Sequence, residues 1–153
     1  MTEIIDKIDL KILRILQSDS SRSLDSISNE VGVSLNTCWR RISRLEKNSI
    51  IEGRVALIDN EKVGLPLTVF VSISTDDHSQ EWTKKLNNAV ISIKEIVEFY
   101  RLAGETDYIL KMMVKNVDHY DRVYKQLIKL VKISDVSASF AMEKIKFTTN
   151  LPI

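Results

Sequence analysis

The sequence predicts an α+β chain in two parts: three helices, then four strands and two helices in the order βαββαβ. Three observations predict it. Apolar residues recur at helical spacing through the first third of the chain. The period then shortens to two at Leu67-Thr68-Val69-Phe70-Val71-Ser72-Ile73-Ser74, which is rich in β-branched residues. Beyond it, helix-like and strand-like segments alternate, separated by turn residues. The 153 residues, 44% of them hydrophobic, suffice for two small packed cores.

The first helix is expected over 6–17, where Ile8, Ile12, Leu13 and Leu16 share a face. Asp6 can cap its start, and Asp9 suits its positive N-terminal end. Asp19-Ser20-Ser21 breaks it. Ser23 is placed to cap a second helix over 24–31, with Leu24, Ile27 and Val31 on one face. Gly32 supplies a tight turn where positive φ costs little. Ser34 caps a third helix to about Lys47, with Cys38, Ile42 and Leu45 facing inward, and Asn48 suits the left-handed position that ends it. Ile51 to Ile58 then reads as extended, with Val55, Leu57 and Ile58 as strand residues. Asp59-Asn60 is turn material, and Gly64-Leu65-Pro66 closes the connector.

The second part follows with a strand over 67–74 and a helix over 80–92 carrying Trp82, Leu86, Ala89 and Val90. A strand over 96–102, a turn at Ala103-Gly104-Glu105-Thr106-Asp107 and a strand over 108–114 come next. A helix over 117–131 holds Val117, Tyr120, Val123, Tyr124, Leu127 and Leu130 at helical spacing, and a last strand lies within 136–147. This is the ferredoxin-like arrangement. The expected division is 1–52 for the helices, 53–66 for a strand-like linker and 67–153 for the sheet domain.

Composition excludes several classes. No apolar run reaches 18 residues, so no membrane span is expected. Met1-Thr2-Glu3-Ile4 lacks the basic-then-apolar pattern of a signal peptide. Cys38 is the sole cysteine, so no intrachain disulfide forms and a reducing cytoplasm fits. On the inward face of the third helix, Cys38 reads as a core thiol rather than a redox sensor. His78 and His119 have no cysteine or second histidine nearby, which argues against a metal site. No catalytic residue and no cofactor is implied.

Charge is informative only locally. The chain carries a net charge of +1, yet residues 34–47 hold Arg40, Arg41, Arg44 and Lys47 against Glu46 alone. Two short helices joined by a glycine-containing turn, after a leading helix, form a tri-helical helix-turn-helix, whose second motif helix enters the major groove of duplex DNA. Here that helix presents Asn36, Arg40, Arg44 and Lys47 at i, i+4, i+8 and i+11, with Thr37 and Arg41 beside them. Asn36, Thr37 and Arg40, in its N-terminal half, are the candidates for base edges. Arg41, Arg44 and Lys47 are the candidates for phosphates, with Ser34 at the helix start. Trp39 flanks the apolar stripe, either bracing the groove wall or extending the core. A solvated basic helix in an interaction domain is the alternative that this face alone leaves open.

The turn at 103–108 is the small-molecule candidate. Gly104 permits close backbone approach, with N–H groups for a carboxylate, while Glu105 and Asp107 suit an ammonium group. The same residues, with Thr106 and Tyr108, also make an ordinary hairpin turn. Ser137 and Ser139 are weaker candidates that a polar strand face explains equally well.

The stretch Ile5-Asp6-Lys7-Ile8-Asp9-Leu10-Lys11-Ile12-Leu13-Arg14-Ile15-Leu16-Gln17-Ser18-Asp19 resembles the opening of the leucine-responsive and asparagine-responsive (Lrp/AsnC) regulators. Val31-Gly32-Val33-Ser34, Arg41-Ile42-Ser43-Arg44-Leu45-Glu46, Ile50-Ile51-Glu52-Gly53 and Ala103-Gly104-Glu105-Thr106-Asp107-Tyr108-Ile109-Leu110-Lys111 extend the resemblance over roughly residues 5–147. It implies a winged helix-turn-helix that binds double-stranded DNA, and dimers built from the C-terminal sheets, often assembled into octamers. It further implies an amino acid or related metabolite bound between dimers, altering oligomeric state or DNA affinity. Departures are Ser20-Ser21-Arg22, where the arginine comes one place late, Ser49 at a usual helix-ending glycine, Glu105 at a usual aspartate, and Ser139 where a larger residue is common. A sirohaem decarboxylase-like enzyme shares the two-domain plan, but Arg101 and Arg122 are the only arginines beyond residue 54 to grip several carboxylates. A stand-alone metabolite-binding module with a vestigial first domain is the other rival.

Overall fold

A computed structural model describes residues 5–153; Met1–Ile4, read above as no targeting signal, lie outside the described residues. The chain forms two compact units. One takes the chain up to Leu57 together with Ile145–Ile153, and the other is Ile58–Lys144. Among the described residues, no helix is long and apolar enough to cross a membrane.

The first unit holds α1 (Lys7–Ser18), α2 (Leu24–Val31) and α3 (Leu35–Lys47). Its core is Ile12, Leu16, Ile27, Val31, Cys38, Ile42 and Leu45, the inward stripe of each helix. Each helix starts at the cap expected for it. The Asp6 carboxylate accepts from the N–H groups of Ile8 and Asp9, and the Asp9 carboxylate accepts from the Asp6 N–H, a reciprocal capping box. The hydroxyls of Ser23 and Ser34 accept from the N–H groups of Ser26 and Thr37. Gly32 ends α2 at φ 74°. The displaced Arg22 binds Ser26 Oγ at 2.7 Å and Glu30 Oε2 at 2.6 Å, which ties it to α2.

The end of α3 differs from expectation. Asn48 keeps φ −91°, and Ser49 takes the left-handed conformation at φ 55°. The hydrogen bonds explain why. The Ile50 N–H donates to the Leu45 carbonyl at 2.9 Å and the Ser49 N–H to the Glu46 carbonyl at 3.0 Å. That pair of bonds requires its left-handed residue one place beyond the cap, and it turns Ile50 and Ile51 onto the core.

The segment expected as a strand around Val55, Leu57 and Ile58 pairs with no strand among the described residues, and all three side chains are exposed. A strand needs a neighbour to take its backbone N–H and C=O groups, and the described residues offer none there.

The second unit contains β1 (Leu67–Ser74), α4 (Gln80–Ser92), β2 (Ile96–Arg101), β3 (Tyr108–Val114), α5 (Val117–Leu130) and β4 (Asp135–Phe140). The strands lie in the order β2-β3-β1-β4, every neighbouring pair antiparallel. Val71 stands opposite both Leu110 and Ala138, which fixes the alternation. One face, with Val69, Val71, Ile73, Leu110, Met112 and Val114, packs with Trp82, Leu86, Val123 and Leu127 of the helices. Tyr120 meets Phe140 edge-on at 5.4 Å on the rim of this core. The opposite face carries Phe70, Ser72, Ile109, Lys111 and Met113, with Ser137 opposite Ser72 and Ser139 opposite Phe70.

β4 fills only the first part of the expected 136–147 span, ending at Phe140. Its last bond to the sheet runs from the Ala141 N–H to the Thr68 carbonyl at 3.0 Å. Beyond that point β1 gives out at Leu67, preceded by Pro66, which has no N–H to offer. The expected sheet domain therefore loses Ile145–Ile153, which join the helical unit. There the Gln17 amide donates to the Leu151 carbonyl at 3.0 Å and accepts from the Leu151 N–H at 2.9 Å, while Arg14 Nε donates to the Ile153 carbonyl at 2.6 Å.

Ser49 carries a Cβ in a backbone region that glycine enters without penalty. Ser49→Gly is expected to stabilise the helical unit by about 0.5–1 kcal/mol, read as a higher urea midpoint. A lower midpoint would contradict the left-handed assignment.

Candidate nucleic-acid interface

The sequence of α3 sorts its side chains by helical geometry. Cys38, Ile42 and Leu45 point into the core, and burial pushes the Cys38 thiol up from its ordinary value. Asn36, Arg40 and Lys47 are exposed on the opposite side. Ser34 is exposed and Thr37 half-buried, and the Ser34 hydroxyl donates to Thr37 Oγ1 at 2.8 Å, so both are engaged in starting the helix. Trp39 is 57% exposed with Leu35 beside it one turn earlier, so it extends the outer surface and not the core.

Arg41 and Arg44, expected as phosphate ligands, are engaged within the domain instead. Asp9 is fully buried, with 0% of its surface exposed. Arg41 Nη1 lies 2.8 Å from Asp9 Oδ1, and Arg44 Nη2 lies 2.6 Å from Asp9 Oδ2. Arg41 Nη1 also lies 2.7 Å from Asp6 Oδ2. The Asp9 amide, then Arg41, hold the Asp6 carboxyl down at about 2, and Asp9 followed by Asp6 pushes the Arg41 guanidinium up. A carboxylate cannot remain in a core without charged donors, and these two arginines supply them. Sequence reasoning credited Asp9 only with the helix dipole. The missed signal was its position: Asp9, Ile12 and Leu16 lie at i, i+3 and i+7, on the buried stripe. At the other end of α3, Arg54 Nη2 binds Glu46 Oε1 at 2.9 Å and fastens the connector to the helix.

The turn at 103–107 is built differently from the expected ligand cradle. The Asp107 carboxylate accepts the Thr75 N–H at 2.9 Å, and the Asp107 carbonyl accepts the Leu102 N–H at 2.8 Å, so this residue anchors the turn to β1. Tyr108 is buried among helix-facing residues, its ring 5.4 Å from Phe99 and 5.9 Å from Trp82, and it faces no site at the turn. Gly104 and Glu105 are exposed and Thr106 is half-buried. Gly104 has φ 158°, and a Cβ there would meet nothing within 4 Å. Ser137 and Ser139 are exposed on the helix-free face, two strands away from β3 in the sheet order β2-β3-β1-β4. Within this single chain the candidates therefore do not converge on one pocket. Grooves lie elsewhere, one of about 510 Å³ beside Arg122, Lys125 and Lys129, and one of about 730 Å³ beside Leu13, Ile51 and Leu151.

A helix-turn-helix with an exposed polar and basic outer face, joined to a βαββαβ domain, defines the class: a DNA-binding regulator with a sensing domain. Residues 5–52 match the winged helix-turn-helix DNA-binding model and residues 68–151 the Lrp/AsnC ligand binding domain. The chain is 46% identical to the glutamate uptake regulatory protein of Zymomonas mobilis, over 97% of this chain and 91% of that protein. The crystal structure of an AsnC family transcriptional regulator from Agrobacterium tumefaciens superposes with a TM-score of 0.93 at 48% identity, covering 96% of each chain. A transcriptional regulator from Neisseria meningitidis, solved as a complex with L-Met, superposes with a TM-score of 0.92 at 30% identity over 97% of each chain. The chain belongs to the Lrp/AsnC family of transcription regulators. These matches place it with regulators and not with the decarboxylase-like enzymes weighed above.

Asp9→Ala is expected to destabilise the helical unit by about 2–3 kcal/mol. That lies below the range for fully enclosed ion pairs, because the two guanidinium groups reach water once released. Urea denaturation followed by circular dichroism measures it, and a loss under about 0.5 kcal/mol would show that Asp9 does not hold α1 to α3.

Proposed function

We propose that the chain reads duplex DNA through the outer face of α3, and that an amino acid or close relative bound at the sheet domain adjusts this binding in an assembly of two or more copies. In this reading, residues 1–52 form the DNA-binding part, 53–66 the connector, and the chain from 67 the sensing and assembling part, with the last nine residues returning to the helices. The observation that carries it is the exposed set Asn36, Arg40 and Lys47 on a helix whose other side is locked to α1.

Asn36 and Arg40 are the base-edge readers, since Asn pairs with adenine and Arg with guanine through two bonds each. Thr37 stands beside them, Ser34 and Trp39 flank the groove, and Lys47 contacts phosphate. Arg41 and Arg44 orient the helix. Assembly through the helix-free face of the sheet is supported by Phe70 and Tyr100, which are exposed there with no helix to cover them. Ser137 and Ser139 share that face and belong to the same contact. For the effector, the exposed backbone at Gly104, Glu105 and Thr106 suits the charged ends of an amino acid, and the L-Met complex of the Neisseria relative supports that ligand class.

Arg40→Ala is expected to cost about 1–3 kcal/mol at a cognate site and to relax discrimination at one base pair, measured by titrating a set of single-substitution duplexes. Equal weakening on every duplex would make Arg40 a phosphate ligand instead. For the effector, a thermal-shift screen of amino acids is the direct test. A ligand at a hundred times its dissociation constant adds about 2.7 kcal/mol, and Gly104→Val should abolish that shift while the helices stay folded. A full shift in the variant would remove the 104 turn from the site.

A further inference from the structure

Arg41 is shared between two unequal carboxylates. Asp9 is enclosed and pinned from its other side by Arg44, whereas the Asp6 side chain remains 46% exposed. Of the bonds Arg41 makes, the one to Asp6 is therefore the one open to water and to a competitor. A carboxylate oxygen 2.7 Å from a guanidinium nitrogen occupies the position a phosphate oxygen would take, because both are anionic acceptors of the same charge-assisted bond. The Asp6 carboxyl, held at about 2, is ionised throughout the neutral range.

We propose that Asp6 is an intramolecular competitor for DNA phosphate: by occupying Arg41 it withholds one backbone contact per helix-turn-helix. The effect is independent of sequence, since phosphate contacts carry no base information. It lowers hold on any duplex while leaving the base-reading pair Asn36 and Arg40 untouched. This rests on α3 facing DNA, as proposed above.

Asp6→Asn tests it cleanly, because Asn caps a helix as well as Asp and retains the bonds to Ile8 and Asp9. The variant and the parent protein are titrated with a cognate and a scrambled duplex between 50 and 200 mM salt. The variant should bind both duplexes more tightly by the same factor. Its salt dependence should steepen by about 0.9 in log–log slope per helix-turn-helix, an extra loss of about 3.5-fold over that fourfold salt increase. In an Arg41→Gln background, which keeps a donor for Asp9, the effect of Asp6→Asn should vanish. An unchanged slope overturns the proposal, as does an effect that survives in the Arg41→Gln background, which would reflect only the loss of a negative charge. So does a change confined to the cognate duplex. Arg40→Ala run alongside separates the two readings. If it leaves cognate binding intact, α3 does not face DNA and both fail; if it weakens cognate binding while Asp6→Asn changes nothing, only the Asp6 competitor is lost.

Discussion

A single enclosed carboxylate sets the geometry of the helical unit. Asp9 brings a negative charge into an apolar core, where an unpaired ion would cost several kcal/mol. It is tolerated because Arg41 and Arg44 reach it from α3 and the Asp6 N–H from its own helix start. Apolar packing of Ile12, Leu16, Ile42 and Leu45 is non-directional and accepts small sliding of one helix over the other. Two bonds from arginines one turn apart do not, because both oxygens must be met at once. The orientation of the outer face of α3 follows from a contact on its inner side.

The clamp also changes how the local charge excess should be counted. Four cations against one acid suggest a uniformly basic helix, yet two of the four belong to the interior pairing and two to the surface. A helix face with two surface cations attracts an anion less strongly than one with four. The near-neutral total charge of the chain fits this balance.

What could be read from the sequence was whatever depends on near neighbours. Helix starts at Asp6, Ser23 and Ser34 use a hydroxyl or carboxylate and an amide two or three residues away, and Gly32 acts on its own backbone. The alternation in β1 and β3 likewise follows from the pleat. What could not be read depends on a distant partner. Asp9 looked like a dipole ligand because Arg41 and Arg44 are more than thirty residues away. The pairing of Arg41 and Arg44 with Asp9 stayed hidden for the same reason. Tyr108 adjoins the turn in sequence, but strand alternation sends its ring into the core. Val55, Leu57, Ile145 and Phe147 have strand character, and strand character becomes a strand only where a neighbour presents a ladder.

The connector and the tail are both tied to the helical unit. The chain passes between the two units twice, once after Leu57 and once before Ile145. Each crossing is fastened by polar contacts to the helical unit: Arg54 pairs with Glu46 of α3, and Leu151 pairs with Gln17 of α1. These are the two helices that Asp9 joins. Arg54, Asp9 and Gln17 therefore tie the connector, both helices and the tail into one set of polar contacts inside the helical unit, so that the directional bonds which fix α3 against α1 extend to both segments of chain that leave them.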